Sequence, residues 1–292
     1  MFDWQDLYIF TVLARTESLS GAARELGIEH ATVGRRIESL EKALGLRLVD
    51  KLPRSRPLTE DGRAVAILAQ NMEQMASLIE QRSRTASIGL AGAVRVSAPP
   101  SLARACIVPR IAALRAAHPK LRLILQPSTS LAALSKGEAD IAIRTVRPEE
   151  GELIRKKIGV VRFGLYGTRE FSRRPPERWT FISYDESLDH LPQQIWLHRI
   201  RADRPITFFA SDLMSQQIAA RDHVGAVVLP TMVGEIDPEL VQLPTEVEAP
   251  EREIWMIVYP DIRRSPLVKV VMDFLVDCIE REPRLAMSGH PK

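Results

Sequence analysis

Cysteine is scarce: Cys106 and Cys278 are the two thiols in 292 residues. Both lie in apolar, helix-like stretches. They do not form the disulfide framework of a small secreted domain. A redox-sensing pair is one reading of them, and two buried thiols acting as small hydrophobes is the blander one. A charge of one sign is also missing. Forty Lys and Arg against 37 Asp and Glu leave +3, too little for a general polycation, so basic residues can matter only locally. No apolar run approaches membrane-spanning length, and no N-terminal run resembles a signal peptide. The expected location is the cytoplasm, without a membrane partner. There is no nucleophile elbow, no metal-ligand spacing and no glycine-rich phosphate loop. His118, His190, His198 and His223 are scattered along the chain. The expectation is therefore no enzyme, no cofactor and no metal.

What the chain does have is concentrated near its start. Residues 3–16 predict a helix with Leu7, Phe10 and Leu13 or Ala14 facing inward and with Trp4 and Tyr8 capping a small core. Ser20 is placed to accept from a free helix-start N–H. Ala22, Ala23 and Leu26 then supply a short packed helix, and Gly27 can take the positive φ of a sharp exit. In the next helix Val33, Ile37, Leu40 and Leu44 stack along one side. Ala31, Arg35, Glu38 and Lys42 occupy the other side, with Thr32, Gly34 and Arg36 flanking. Two short helices with small and cationic residues outward describe a helix-turn-helix, although such geometry also occurs as plain packing in all-α domains.

The following residues favour the DNA-reading alternative. Residues 46–51 are β-like, 53–57 form a turn holding Arg54 and Arg56, and Leu58 closes a hairpin. This is a wing able to lay its arginines on phosphates or in a minor groove. Candidate DNA-contacting residues are His30, Ala31, Thr32, Arg35, Arg36, Arg54 and Arg56. Thr59, followed by Glu60 and Asp61, starts a long helix over 59–86. There Val65, Leu68, Met72, Met75 and Ile79 recur at alternating spacings of three and four. That is a heptad seam suited to a second copy of the same helix, and two readers on a two-fold axis predict a partly palindromic duplex site.

Phe10, Ser18, Ala22-Ala23, Leu26, the T-V-G-R-R-I-E-S-L-E run with Leu44-Gly45, and L-T-E-D-G at 58–62 resemble the LysR-type transcriptional regulators. The likeness covers the chain in length and order of parts and is densest over the first sixty-odd residues. Gly34 stands where that family usually has serine, which implies the loss of one phosphate or base contact. Val49 and Asp50 stand where it has Phe and Arg, which implies a looser wing base that binds the backbone less strongly. The resemblance implies a homodimer or homotetramer and a C-terminal domain like periplasmic binding proteins.

Beyond a hinge at 83–92 the texture becomes strands alternating with helices. Strands are predicted at 94–97, 121–125 and 140–143, and helices at 101–117, with Leu102, Ile107, Val108, Ile111 and Leu114 inward, and at 131–136. A second lobe follows near 163–166, with strands at 181–184, 195–198, 206–210 and 226–230 and a helix from Ser211-Asp212 to about Asp222. A strand at 254–259 leads back to a last helix opened by Ser265-Pro266, and the chain is expected to fray from about Glu282. The fold class is α/β: a winged helix-turn-helix over 1–62, a linker and dimerisation helix over 59–86, and a two-lobed domain over 92–282. Lobe one spans about 92–164 and 264–282, and lobe two about 165–263. Ligands in such sheets gather at strand carboxyl ends beside helix N-termini. Pro100, Ser101, Ser128, Thr129, Arg144, Ser211, Asp212 and Leu213 are the candidate effector-binding residues, with an ordinary helix cap as the bland role of each serine. The effector is an unidentified small molecule, an anion being one candidate class. Asp222-His223 replaces the family's usual glycine before a buried strand. The readings that remain are a ligand-responsive DNA-binding regulator, the same protein with a silent cleft, and an enzyme-like domain fused to a DNA reader.

Overall fold

A computed structural model describes residues 2–50, 57–85, 91–128, 139–147 and 153–287. These fall into two compact units divided after Gln81.

The first unit is helical. Helix α1 spans Trp4–Thr16, with the Asp3 carboxylate accepting from the Gln5 N–H. Helix α2 spans Leu19–Leu26, and its cap is Ser18 rather than Ser20: Ser18 has extended backbone and its hydroxyl accepts from the Gly21 N–H at 2.9 Å. A cap must sit just outside the first turn, whereas Ser20 lies within it. Gly27 ends α2 at φ +67, as its sequence context predicted. Helix α3 spans His30–Leu44 and is closed by Gly45, also at φ +67. Leu7, Phe10, Leu13, Ala22, Val33, Ile37 and Leu40 form the buried core. Trp4 and Tyr8 do not cap it; they are 60% and 50% exposed.

The Glu41 carboxylate accepts from the N–H groups of Leu48 and Val49, at 2.7 and 3.2 Å, and so fixes α3 to the base of the wing. Val49 bridges Leu58, which closes the base; the wing tip, with Arg54 and Arg56, lies outside the described residues. Helix α4 spans Glu60–Thr85 and starts where the Thr59 hydroxyl accepts from the Gly62 N–H. Gly62 lies so close to the wing base that a Cβ there would sit 2.0 Å from the Leu48 carbonyl oxygen. The five-residue seam of α4 is split. Val65 and Met72 pack beside buried Ala66 and Ala69 on this unit's own core, whereas Leu68, Met75 and Ile79 are 60–71% exposed. Positions 65, 69 and 72 define one helix face and 68, 75 and 79 another.

The second unit is built on a sheet in the order β2-β1-β3-β9-β4-β7-β5-β6, with β8 beside β4. Strands β1 (Gly92–Ala98), β2 (Leu121–Pro127) and β3 (Ile141–Arg144) are parallel. Strands β5 (Phe181–Ser183), β6 (Ile206–Phe209) and β7 (Ala226–Pro230) form a second parallel set. Between the sets run β4 (Ile154–Thr168) and β9 (Glu251–Val258), antiparallel and shared by both halves; β8 is Leu240–Gln242. These are the two lobes and two crossings expected from the strand pattern.

Three expected elements of the second unit need correction. Residues 195–198 are not a strand but part of an α-helix, α6, Pro192–Arg201. Pro192 at its start suits a first turn, and Gln193, Gln194, Trp196 and Leu197 are buried on one side. The stretch 101–117 is not one regular helix. It passes through a π-type segment at Ala103–Ile107 and a 3₁₀ turn at Val108–Arg110 before α5, Ile111–Ala117. Pro109 cannot donate to an α-helical ladder, and the break turns Val108 outward, 51% exposed. Nor does the chain fray at Glu282: Leu285 is fully buried and Arg284 bridges Glu235 and Glu282. The last helix (Pro266–Glu280) buries Val268, Val271, Leu275 and Ile279, a contribution of about 1.5–3 kcal/mol per side chain.

Candidate nucleic-acid interface and ligand cleft

On α3 the buried ridge of Val33, Ile37 and Leu40 holds the opposite side outward. His30, Ala31 and Arg35 are exposed, and Thr32 is half-buried. Arg35 reaches back to the Thr32 hydroxyl at 3.3 Å, which orients the guanidinium over the first turn of the helix. Arg36 is differently engaged. It donates to the buried carboxylate of Asp6 at 3.0 Å and lies 3.4 Å from Asp3, so it ties α3 to α1. An Asp removed from water requires such a partner.

In the second unit the carboxyl ends of β1, β2 and β3 carry Pro100 and Ser101, Ser128 and Arg144 on one rim. Thr129 and residues 131–136 lie outside the described residues. Arg144 does not reach into open space. It is 3% exposed and donates to the Ser97 carbonyl (3.0 Å), the Ser97 hydroxyl (2.8 Å) and the Ile143 carbonyl (2.7 Å). Burial lowers its pKa to about 10. Through these bonds it ties the end of β3 to the neighbouring strand β1 on the floor of lobe one.

In lobe two the ends of β5, β6 and β7 carry Tyr184, Ser211-Asp212 and Thr231. Asp212 caps helix α7 (Leu213–Arg221), accepting from the Ser215 N–H at 2.9 Å. The bonds from Ser215 hold its carboxyl below the usual range, and Arg104 adds to this. Ser211 is exposed and Leu213 half-buried beside it. Across the cleft, Arg104 from the irregular segment of lobe one lies 3.5 Å from the Met214 sulfur of lobe two. The rims therefore do approach one another, through a pair that sequence reasoning missed. Tyr184 and Arg252 were missed as well. Arg252, on β9, pairs with Val161, two residues from the Phe163 that pairs with Pro230, so it sits beside the carboxyl end of β7. Extending the strand-end rule from lobe one to β5 would have found Tyr184. No short motif marks Arg252.

Other chemistry is weaker. A cavity of about 930 Å³ lies at the amino ends of β1 and β2, lined in part by Arg95, Leu114, Arg115 and Arg122, away from the cleft. Cys106 and Cys278 are fully buried, and burial pushes their thiols up to about 12 and about 11. Such thiols hold little thiolate near neutrality, which opposes a redox role. Among the described residues no group of three or more His, Cys, Asp and Glu could hold a metal, and no helix is long and apolar enough to cross a membrane.

A winged helix-turn-helix followed by two α/β lobes joined by crossing strands defines a DNA-binding regulator with a ligand-binding domain. The family description "Bacterial regulatory helix-turn-helix protein, lysR family" matches residues 4–63, and "LysR substrate binding domain" matches 87–278. The chain belongs to the LysR family of transcriptional regulators. It is 28% identical over 280 residues to the Mau operon transcriptional activator of Paracoccus denitrificans, covering 94% of this chain and 96% of that protein. In fold it is similar to the Vibrio cholerae virulence activator AphB, with TM-score 0.59 and 23% identity over 94% of this chain and 99% of that one. It is also similar in fold to CbnR in complex with its target DNA, with TM-score 0.60 and 17% identity over 95% of this chain and all of that one.

Proposed function

We propose that α3 reads an operator in the major groove through His30, Ala31, Thr32 and Arg35, while Arg54 and Arg56 of the wing hold the flanking backbone. The observation that carries this reading is the exposed first turn of α3 set on a fully buried ridge. Arg36 acts as a brace through Asp6 rather than as a base reader. The exposed Leu68, Met75 and Ile79 of α4 pair with a second copy, giving a dimer or tetramer that meets a partly palindromic site. A small effector in the interlobe cleft, near Pro100, Ser101, Ser128, Thr129, Ser211, Asp212 and Leu213, biases the arrangement of the paired readers. It can do so only by preferring one arrangement. The protein acts in the cytoplasm and catalyses no reaction. The test is Arg35→Ala. Operator affinity is expected to fall about tenfold or more, with less loss on random duplex, as for a side chain worth about 1–3 kcal/mol at a guanine edge. Equal losses on both would remove Arg35 from base reading.

A further inference from the structure

The side chains of Arg252 and Tyr184 stand out among the described residues of lobe two. Arg252 makes no hydrogen bond or ion pair with any described residue, although much of its side chain is removed from solvent and burial lowers its pKa. Other arginines of the same unit with comparable access, Arg162, Arg221 and Arg284, all hold carboxylates. The Tyr184 hydroxyl, too, makes no hydrogen bond among the described residues. Burial pushes it up to about 12, with Asp212 adding and Arg252 opposing, so the tyrosine and the arginine lie within electrostatic reach. Both stand at the carboxyl ends of the lobe-two strands, Tyr184 directly after β5 and Arg252 beside the end of β7. Two further groups of lobe two lack a partner among the described residues. The Gln193 side-chain oxygen and the Thr231 hydroxyl are buried without a hydrogen-bond partner. Thr231 follows β7, and the adjacent Gln194 is held by the Ser183 hydroxyl at the end of β5, at 2.6 Å. A buried polar group left without a partner destabilises the fold. Two such groups in lobe two, together with a half-buried arginine and tyrosine that make no side-chain bond to any described residue at the ends of its strands, imply an external partner.

We infer that the effector carries a carboxylate, and that Arg252 and Tyr184 anchor it in lobe two. A guanidinium presents paired donors that match the two oxygens of a carboxylate, and Tyr184 supplies a third donor. Thr231 serves the remainder of the ligand, while the Arg104–Met214 contact bounds it on the lobe-one side. This inference rests on the reading of the cleft as an effector site. It adds the chemical class of the effector and two residues outside the earlier set.

The test uses the full chain, with acetate as the smallest carboxylate probe and chloride at matched ionic strength and neutral acetamide as controls. Acetate is expected to raise the melting temperature saturably while the controls do not, because a ligand that binds only the folded state stabilises it. Arg252→Gln is expected to weaken the apparent acetate affinity about tenfold or more, Arg252→Lys to restore part of it, and Tyr184→Phe to cause a smaller loss. If Arg252→Gln fails to fold, Arg252→Lys and Tyr184→Phe still grade the contact. An acetate response no larger than that of chloride, an equal response to acetamide, or full acetate affinity in the glutamine or phenylalanine variant would overturn the anchor. A neutral metabolite that raises the melting temperature and changes operator binding, with acetate silent, would leave the effector reading standing and remove only the carboxylate. Failure of every compound, charged or neutral, to change operator binding would remove the effector reading itself.

Discussion

The two units solve opposite problems. The first is held by contacts close in sequence, three helices around Phe10, Val33 and Leu40, and turns its candidate functional surface outward. An exposed cation there, such as Arg35, is solvated by water and holds only the Thr32 hydroxyl within the protein. The second is held by strands far apart in sequence, such as β3 on β9, and carries Tyr184, Ser211-Asp212 and Thr231 at the carboxyl ends of its lobe-two strands. There an idle side chain is costly, so Arg252, Gln193 and Thr231 are informative in a way that Arg35 is not. The lesson is that an unpaired charge means little on a surface and much in a cleft.

Four substitutions sharpen or break that contrast. Gly62→Val has the largest expected effect, because its Cβ would meet the Leu48 backbone oxygen at 2.0 Å and neither atom lies on a movable side chain. A loss of about 3 kcal/mol or more is expected, confined to the first unit and seen by calorimetry as one shifted transition. If both units melted earlier together, their independence would be wrong. Arg36→Ala follows, at about 2 kcal/mol, because Asp6 would keep a buried charge while the half-exposed arginine softens the effect. Operator and random DNA should weaken alike; loss on the operator alone would return Arg36 to the duplex. Ala202→Gly should stabilise the second unit by about 1 kcal/mol in urea unfolding, because Ala202 is held at φ 49 and ψ −119. Smallest is Gly34→Ser. A Cβ there meets nothing within 4 Å, so α3 should gain about 0.5 kcal/mol and operator binding should not fall in a gel-shift titration.

How much was legible follows the same divide. The first unit could be read almost residue by residue, because caps, helix-ending glycines and a 3.6-residue apolar period are local signals. Ser18 displaced Ser20 by a hydroxyl geometry that spacing alone does not encode. The α4 seam was legible as a pattern, but a heptad does not say which of its residues, here Val65 and Met72, also face the chain's own core. In the second unit the parallel strands and their carboxyl ends were legible. The run Ile195-Trp196-Leu197-His198 was not, since a short apolar stretch suits a buried helix as well as a strand. Arg144 looked like a rim residue because it ends β3, and only packing shows it turned inward onto Ser97. The departure at Asp222-His223 did signal something physical. His223 sits at φ +63, a conformation that favours glycine, and its ring lies 2.8 Å from the Thr168 hydroxyl.

The ribbon of β4 and β9 passes through both lobes, and its register shifts between Lys157 and Gly159, where Gly159 lies against Ile279 and Leu285. Two lobes threaded on one ribbon cannot part or slide freely. The chain crosses between them twice at one narrow place, where Gly159 leaves no room for a Cβ beside Ile279 and the Leu285 carbonyl. A bulkier residue there, remote from the strand ends that face the cleft, would be felt by both lobes at once.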